Sequence, residues 1–341
     1  MITPSPARSA QLGSLGRKSL CAVLLFQWAC SSEPVSAPLH PSVRFAIGND
    51  SANCAGVYQP GLIAVADLAG GTYTDPQGGV HPGGLYDTGL NTRPAEIDAV
   101  KPTVTAVANV IGVALLGGST IRIPGDSILA AVKRDKTKNT KVKVANGGIG
   151  GQRTNAWASP TAAGWGSFAT QLSAAGIKAT QLRVVFYMDL ASADIETFAG
   201  EVNQLSSWID STITNLKTKY PSVQSVYLSS HHYVGYSGVL DIQEPKSYWN
   251  AWSIQQAVRL RAGRADPWTV VGPYVWTNGL GPDSILGGLP GRSDGRENEC
   301  LNFEQTGGSA GVHSSATGAT KISSDFMSFL QTDASTSWYR K

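Results

Sequence analysis

The stretch VANGGIGGQ, residues 144–152, joins a short apolar strand to a glycine-rich turn. A turn of this kind presents backbone N–H groups beside the ends of neighbouring strands, an arrangement that suits binding of a developing negative charge. Two distant stretches complete the pattern, FAIGNDS at residues 45–51 and GVHSS at residues 311–315. Together the three stretches indicate an enzyme.

Short β-branched runs predict the sheet around this turn. Each run is bounded by turn residues, and the runs cover residues 43–47, 141–145, 182–187, 225–228 and 268–271. Runs that are apolar on both faces and separated by helical segments are typical of a parallel sheet covered on both sides. Apolar residues at helical spacing predict helices over 198–216, 248–261 and 315–330. We therefore expect an α/β fold, a three-layer α/β/α sandwich with a parallel sheet of about five strands.

The connection between the first two predicted strands is unusually long. Residues 55–140 contain a glycine-rich piece at 70–91 and a predicted helix at about 95–116. A connection of this length is not a simple crossover. We interpret it as an insertion within a domain that spans residues 38–341, and it either walls a substrate cleft or decorates the fold.

The first 37 residues are predicted to be an export signal and a short linker. Arg17 and Lys18 precede an apolar run at residues 20–29 that is too short to span a membrane. Cys30 directly follows this run in the manner of a lipoprotein cleavage site, whereas Gln27 departs from such a site. Lipidation of Cys30, the one predicted link to a membrane, and cleavage near Ala37 are therefore both open.

Export predicts a periplasmic, extracellular or lipid-anchored location. In such an oxidising compartment we expect Cys54 and Cys300 to form a disulfide, and the alternative is that both are buried thiols. The composition is consistent with export, since only 15% of the residues are charged and 38 are glycine. The net charge of +3 comes partly from a basic run at residues 133–143. No nucleic-acid-binding motif accompanies the run, so we interpret it as a solvated face and expect no nucleic-acid partner.

Three blocks resemble blocks I, II and V of the SGNH/GDSL hydrolase superfamily. They are IGNDS at 47–51, NGGIGGQ at 146–152 and GVHSSATG at 311–318. The resemblance runs from about residue 43 to the C-terminus, apart from the 55–140 insertion, and is nearest to a poorly characterised bacterial branch. It implies the flavodoxin-like fold of that superfamily, with serine ester hydrolysis and no cofactor.

The resemblance also implies a role for individual residues. Ser51 would be the nucleophile and His313 the general base, and the backbone N–H groups of Ser51 and Gly148 would form the oxyanion hole. A literal GDS at residues 125–127 makes Ser127 the competing nucleophile, although no clear strand precedes it.

Two positions depart from the superfamily pattern. Ala310 stands where an Asp usually orients the histidine, so the ring would be held by Asp294, by Glu304, by a backbone carbonyl or by nothing. Asp189 stands where an Asn usually donates to the oxyanion, so Ser192 or a loop residue would have to replace it.

Two adjacent histidines are the remaining candidates for a metal site. His231 and His232 are adjacent at a predicted strand exit, where we expect them to point to opposite sides. No ligand cluster accompanies them, so no metal is predicted.

The favoured hypothesis is an exported serine ester hydrolase that acts through an acyl-enzyme on an acetylated carbohydrate or another small ester. The alternative is a catalytically impaired surface or carbohydrate-binding protein on the same fold.

Overall fold

The computed structural model describes residues 63–189, 192–234, 237, 242, 244–264, 266–275, 303–304 and 310–341. Two short antiparallel strands, β1 Thr72–Thr74 and β2 Val80–Pro82, form a hairpin. The main sheet has five strands, namely β3 Ile111–Leu116, β4 Val142–Asn146, β5 Leu182–Met188, β6 Ser225–Ser229 and β7 Trp268–Val271.

The strand order places a topological switch point at the carboxyl edge of this sheet. The order is β4-β3-β5-β6-β7, and all neighbouring pairs are parallel. Counted along the chain this is 2-1-3-4-5, the order of flavodoxin-like folds. The chain leaves β3 toward one side and later returns to its other side as β5. The switch point between the carboxyl ends of β3 and β5 is where such sheets bind ligands.

Helices cover both faces of the sheet. Their bounds are α1 Ala95–Ala99, α2 Ser119–Arg134, α3 Thr154–Trp157, α4 Gly164–Ala174, α5 Phe198–Lys219, α6 Lys246–Leu260 and α7 Ala316–Thr332. Helix α2 packs against α7, whereas α5 packs against α3 and α6. Right-handed crossovers in this strand order put the two groups on opposite faces. The predicted three-layer sandwich and its three long helices are thus confirmed. In the part of the chain that the structure describes, no helix is long and apolar enough to cross a membrane.

The helix predicted over 95–116 is wrong. Helix α1 ends at Ala99, and residues 111–116 form β3, whose six residues are all buried. The Lys101-Pro102 pair stops the helix, because the residue before a proline is disfavoured in helical conformation. The predicted strand at 43–47 lies outside the described residues, and β3 is the strand found next to β4 and β5. The last part of the segment interpreted as an insertion, from Ile111 onward, therefore belongs to the sheet and its helical layer.

Candidate active site

Ser119 begins helix α2 directly after β3, at the switch point of the sheet. Two glycines make the sharp turn from strand to helix. Gly117 has a φ of +146°, and a Cβ at this position would collide with the carbonyl oxygen of Met188. Only glycine satisfies both conditions. The turn leaves the Ser119 side chain half-buried at the carboxyl edge of the sheet, beside the free N–H groups of the first helical turn.

Gly118 lies where three segments meet. Its N–H donates to Asp189 Oδ1 over 3.0 Å, at the end of β5. A Cβ on Gly118 would collide with that carboxylate and with the backbone oxygen of Gln152 in the glycine-rich loop. The residue before Ser119 is therefore held between the neighbouring strand and the loop, which leaves the serine little positional freedom.

The ring of His313 lies between Ser119 and Glu304. Its Nε2 is 2.8 Å from Ser119 Oγ, and its Nδ1 is 3.2 Å from Glu304 Oε2. With the proton on Nδ1, the ring donates to the carboxylate and accepts the serine hydroxyl at Nε2. A serine, an imidazole and a carboxylate so connected form the arrangement that activates a serine for nucleophilic attack.

Backbone hydrogen bonds hold Glu304 and His313 together. The N–H of Glu304 donates to the His313 oxygen over 2.8 Å, and the N–H of Gly311 donates to the Glu304 oxygen over 2.9 Å. Phe303 and Ser314 form an antiparallel bridge beside them. This pairing explains how an acid nine residues before the histidine reaches its ring, although Ala310 offers no carboxylate.

The glycine-rich loop packs against the turn that carries Ser119. Ile149 N–H donates to the Gly117 oxygen over 2.9 Å. Gly148 is buried, and a Cβ there would stand 2.7 Å from the backbone nitrogen of Arg122 in the first turn of α2. The Gly148 N–H has only a long contact of 3.4 Å with Asn146 Oδ1. The structure thus places the predicted oxyanion donor beside the helix start, with its N–H weakly engaged.

Two polar residues near the end of β5 have other hydrogen bonds. Asp189 accepts from Gly118, as described above, and is 4% exposed. Ser192 accepts from the Asp194 N–H over 2.9 Å. Neither contact supplies the amide donor that the superfamily has at this edge.

Several predicted residues fall outside the described part of the chain. These are Ser51, Asp294, Cys30, Cys54 and Cys300, together with the export signal. Ser127 is described, and it lies inside helix α2, two turns beyond Ser119, where its carbonyl oxygen accepts from Ser323 Oγ over 3.1 Å. The structure therefore brings His313, Glu304 and Gly148 to one edge of the sheet and places Ser127 away from it.

Sequence reasoning missed Ser119. The available signal was the run IGVALL at residues 111–116, followed at once by Gly117-Gly118-Ser119. An apolar run followed by small residues and a serine has two interpretations. It fits a buried strand that ends at a nucleophile, and it fits the end of a helix equally well. Short apolar runs do not separate these two possibilities by periodicity.

The rings of His231 and His232 lie together, contrary to the expectation that they point apart. Both side chains are fully buried after β6, with ring centroids 4.0 Å apart. Burial, together with the nearby His313, lowers the pKa of both rings, and that of His232 falls to about 4. Among the described residues, no group of three or more His, Cys, Asp or Glu side chains could hold a metal ion.

The free energy of unfolding is expected to be largest near pH 6.5 and to fall on both sides. Below about pH 6.5 the unfolded chain protonates His231 and His232, but the folded state keeps them neutral, to about pH 4 for His232. Stability is therefore lost as the pH falls through this window. Burial raises the pKa of Glu244 from 4.5 to about 8, so unfolding releases its proton above pH 4.5. The contribution of Glu244 to the free energy of unfolding is therefore lost as the pH rises toward 8. Each of the three groups changes the free energy of unfolding by at most about 1.4 kcal/mol per pH unit.

Urea unfolding at about pH 5, 6.5 and 8 checks this expectation. Two variants separate the two sides of the profile. Glu244→Gln is expected to flatten the alkaline side and to steepen the acidic side above about pH 4.5, because the Glu244 contribution changes throughout that range. His231→Gln is expected to flatten only the acidic side. A wild-type free energy that stays constant over this range would contradict the assignment.

Gly117→Ala is expected to destabilise the protein by about 3 kcal/mol or more. The alanine would be strained at the positive φ of this position, and its Cβ would collide with the carbonyl oxygen of Met188. Gly166→Ala is the matched control. Gly166 lies inside α4, and a Cβ there would meet no atom within 4 Å, so that substitution should stabilise the protein slightly. Urea unfolding of both variants measures the difference, and equal free energies of unfolding would refute the described turn.

Comparisons with known proteins do not assign a function to this chain, so an assignment depends on the geometry of the site. No protein-family model matches the chain, and no curated protein does. Two similar solved structures are esterases. One is a carbohydrate esterase family 3 protein from Talaromyces cellulolyticus, with a TM-score of 0.39 and 14% identity over 65% of this chain and 97% of that one. The other is a mutant acetyl-xylooligosaccharide esterase from Geobacillus, with a TM-score of 0.37 and 13% identity over 70% of this chain and 100% of that one. Similarity at this level decides neither activity nor substrate.

Proposed function

We propose that this protein is a serine ester hydrolase whose nucleophile is Ser119. One observation carries the proposal, namely the hydrogen-bonded chain from Ser119 Oγ through His313 to Glu304 at the switch point of the sheet. Ser119 takes the role that the sequence resemblance gave to Ser51. The role of His313 as general base is retained, and Glu304 is the acid that orients it.

The chemistry follows from this arrangement. Ser119 Oγ attacks the carbonyl carbon of the ester while its proton passes to His313 Nε2. The resulting imidazolium is stabilised by Glu304, and it returns the proton to the alkoxide that leaves when the tetrahedral intermediate collapses. Water, deprotonated by the same nitrogen, then hydrolyses the acyl-enzyme. Every proton is thus accepted and returned by His313, and no cofactor takes part.

The oxyanion hole is proposed to combine the N–H of Gly148 with N–H groups of the first turn of α2. Helix N-termini stabilise negative charge, and preorganised donors are often the largest single contribution to catalysis. The contact between Gly148 N–H and Asn146 Oδ1 is long at 3.4 Å. Little hydrogen-bond energy is therefore lost when this N–H donates to an oxyanion instead. Asp189 orients Gly118 in this scheme and does not donate.

The substrate is proposed to be an acetylated carbohydrate or another small ester, as the SGNH resemblance implies. Export, and attachment to a membrane through Cys30, are proposed from the sequence alone. A binding protein without catalysis is the second candidate, and Asp189 in place of an amide donor is the observation that favours it.

A fluorophosphonate probe tests the proposal, since it reacts only with an activated serine. The purified wild-type protein should be labelled, and mass spectrometry should locate the adduct on the peptide that contains Ser119. An adduct on Ser51 or Ser127 would overturn the assignment of the nucleophile. No adduct, together with no turnover of short-chain aryl esters, would favour the binding protein.

A further inference from the structure

His232 touches both segments that carry the acid–base pair. Its Nε2 lies 2.6 Å from the carbonyl oxygen of Val312, the residue before His313. Its ring packs on the ring of Phe303, the residue before Glu304, with centroids 4.8 Å apart. One buried imidazole therefore contacts the chain immediately before the base and immediately before the acid.

The contact with Val312 defines the tautomer of His232. A carbonyl oxygen only accepts, so His232 donates from Nε2 and its Nδ1 carries no proton. Because burial lowers the pKa of this ring to about 4, the ring is neutral throughout the neutral pH range. The donor is therefore present, in one orientation, under the conditions in which a neutral His313 acts as a base.

His231 attaches this imidazole to the core of the protein. Its backbone N–H donates to Asn250 Oδ1 over 3.0 Å, and its Nδ1 lies 2.6 Å from the carbonyl oxygen of His232, to which it donates. Asn250 is buried on helix α6. The two histidines therefore connect the carboxyl end of β6 and helix α6 to the segments that carry Glu304 and His313.

We propose that His232 is a positioning residue, which sets the separation between His313 Nε2 and Ser119 Oγ through its contacts with Val312 and Phe303. The inference rests on the proposed function. The backbone hydrogen bonds between Glu304 and His313 fix these two residues relative to each other, whereas His232 fixes the pair relative to the sheet that carries Ser119. A displacement of about 1 Å in a catalytic group costs up to about 100-fold in rate, so this attachment matters for turnover.

Two substitutions at position 232 separate positioning from general stability. His232→Phe keeps a ring against Phe303 but removes the donor to Val312, and it is expected to lower kcat about 10- to 100-fold with KM changed less than about 3-fold. His232→Gln retains an N–H near the position of Nε2 and should recover at least about tenfold of that loss. Val270→Ala, in the buried edge strand β7, is the control for lost core packing and should lower the Tm with little change in kcat.

The kinetic outcomes decide the inference as follows. A kcat that falls in His232→Phe and recovers in His232→Gln supports it. A wild-type kcat in a folded His232→Phe protein overturns it and leaves the proposed function intact. Equal losses in His232→Phe, His232→Gln and Val270→Ala also overturn it, because they would reflect stability alone.

Nitrogen-15 NMR of histidine-labelled protein gives a readout that does not need turnover. The sequence has five histidines, and single substitutions assign them. We expect His232 to be an Nε2–H tautomer and His313 an Nδ1–H tautomer in the wild type, and we expect His313 to lose its single tautomer in His232→Phe. An unchanged His313 signal in that variant overturns the inference. If the wild type hydrolyses no ester, the proposed function fails, and these spectra still decide whether His232 positions His313.

Discussion

Ser119→Ala is expected to lower kcat for a short-chain aryl ester by at least about 10⁴-fold, the scale seen when the nucleophile of a serine hydrolase is removed. The expectation rests on the 2.8 Å contact between Ser119 Oγ and His313 Nε2. Without the Ser119 hydroxyl the acyl-enzyme does not form, and the site retains only its oxyanion donors and binding contacts. Initial-rate kinetics on the purified variant measure the loss.

Two matched variants make this test specific. Ser127→Ala removes a hydroxyl from the same helix, two turns away, and should retain activity near the wild-type value. Ser51→Ala removes the nucleophile that the sequence motif indicates, and it should also remain active. Activity lost in Ser51→Ala and kept in Ser119→Ala would contradict the proposed site. Circular dichroism of all three variants excludes unfolding as the cause.

Glu304→Gln is expected to lower kcat by about 10²- to 10⁴-fold while KM changes little, because the carboxylate acts on the imidazolium that forms only during the reaction. The Glu304 carboxylate is 3.2 Å from His313 Nδ1 and both side chains are partly exposed, at 39% and 21%. Glutamine can present an N–H to the ring instead of an acceptor, which favours the wrong tautomer. Steady-state kinetics across the pH range of activity measure both parameters.

Asp294→Asn is the control, since Asp294 is the other acid that the sequence offered. It is expected to keep most of the activity. A collapse of kcat in Asp294→Asn with a normal kcat in Glu304→Gln would assign the orienting role to Asp294. Glu304→Asp should be intermediate, because a carboxylate remains but its stem is one methylene shorter.

Most of the fold was predictable because its signals are local. Strands β4 to β7 are short apolar runs bounded by turns, and the long helices α5, α6 and α7 follow from apolar residues at helical spacing. The first strand of the sheet was not predictable in this way. Six consecutive apolar residues are compatible with a strand buried on both faces and with a buried helix, and only the neighbouring strands β4 and β5 select the strand.

The candidate site was predictable in part, and for a similar reason. His313 and Gly148 lie in motifs that carry their own signal, the histidine before a helix start and the glycine after a strand. Ser119 has no such motif, and Ser51 and Ser127 offered the Asp-Ser sequence instead. The motif alone does not identify the nucleophile, because a serine becomes one through the base that it contacts and not through its sequence neighbours.

The sequence by itself determined the class of fold, and it indicated His313 as the proposed base and Gly148 as a proposed oxyanion donor, since each of these signals depends on residues that are adjacent along the chain. The tertiary structure decided which serine meets His313, which acid holds its ring, and what the two buried histidines contact. Ser119 is 194 residues from His313, and His232 is 80 residues from Val312. Contacts at such separations depend on the order of strands in the sheet, which brings the ends of β3, β5 and β6 to one edge.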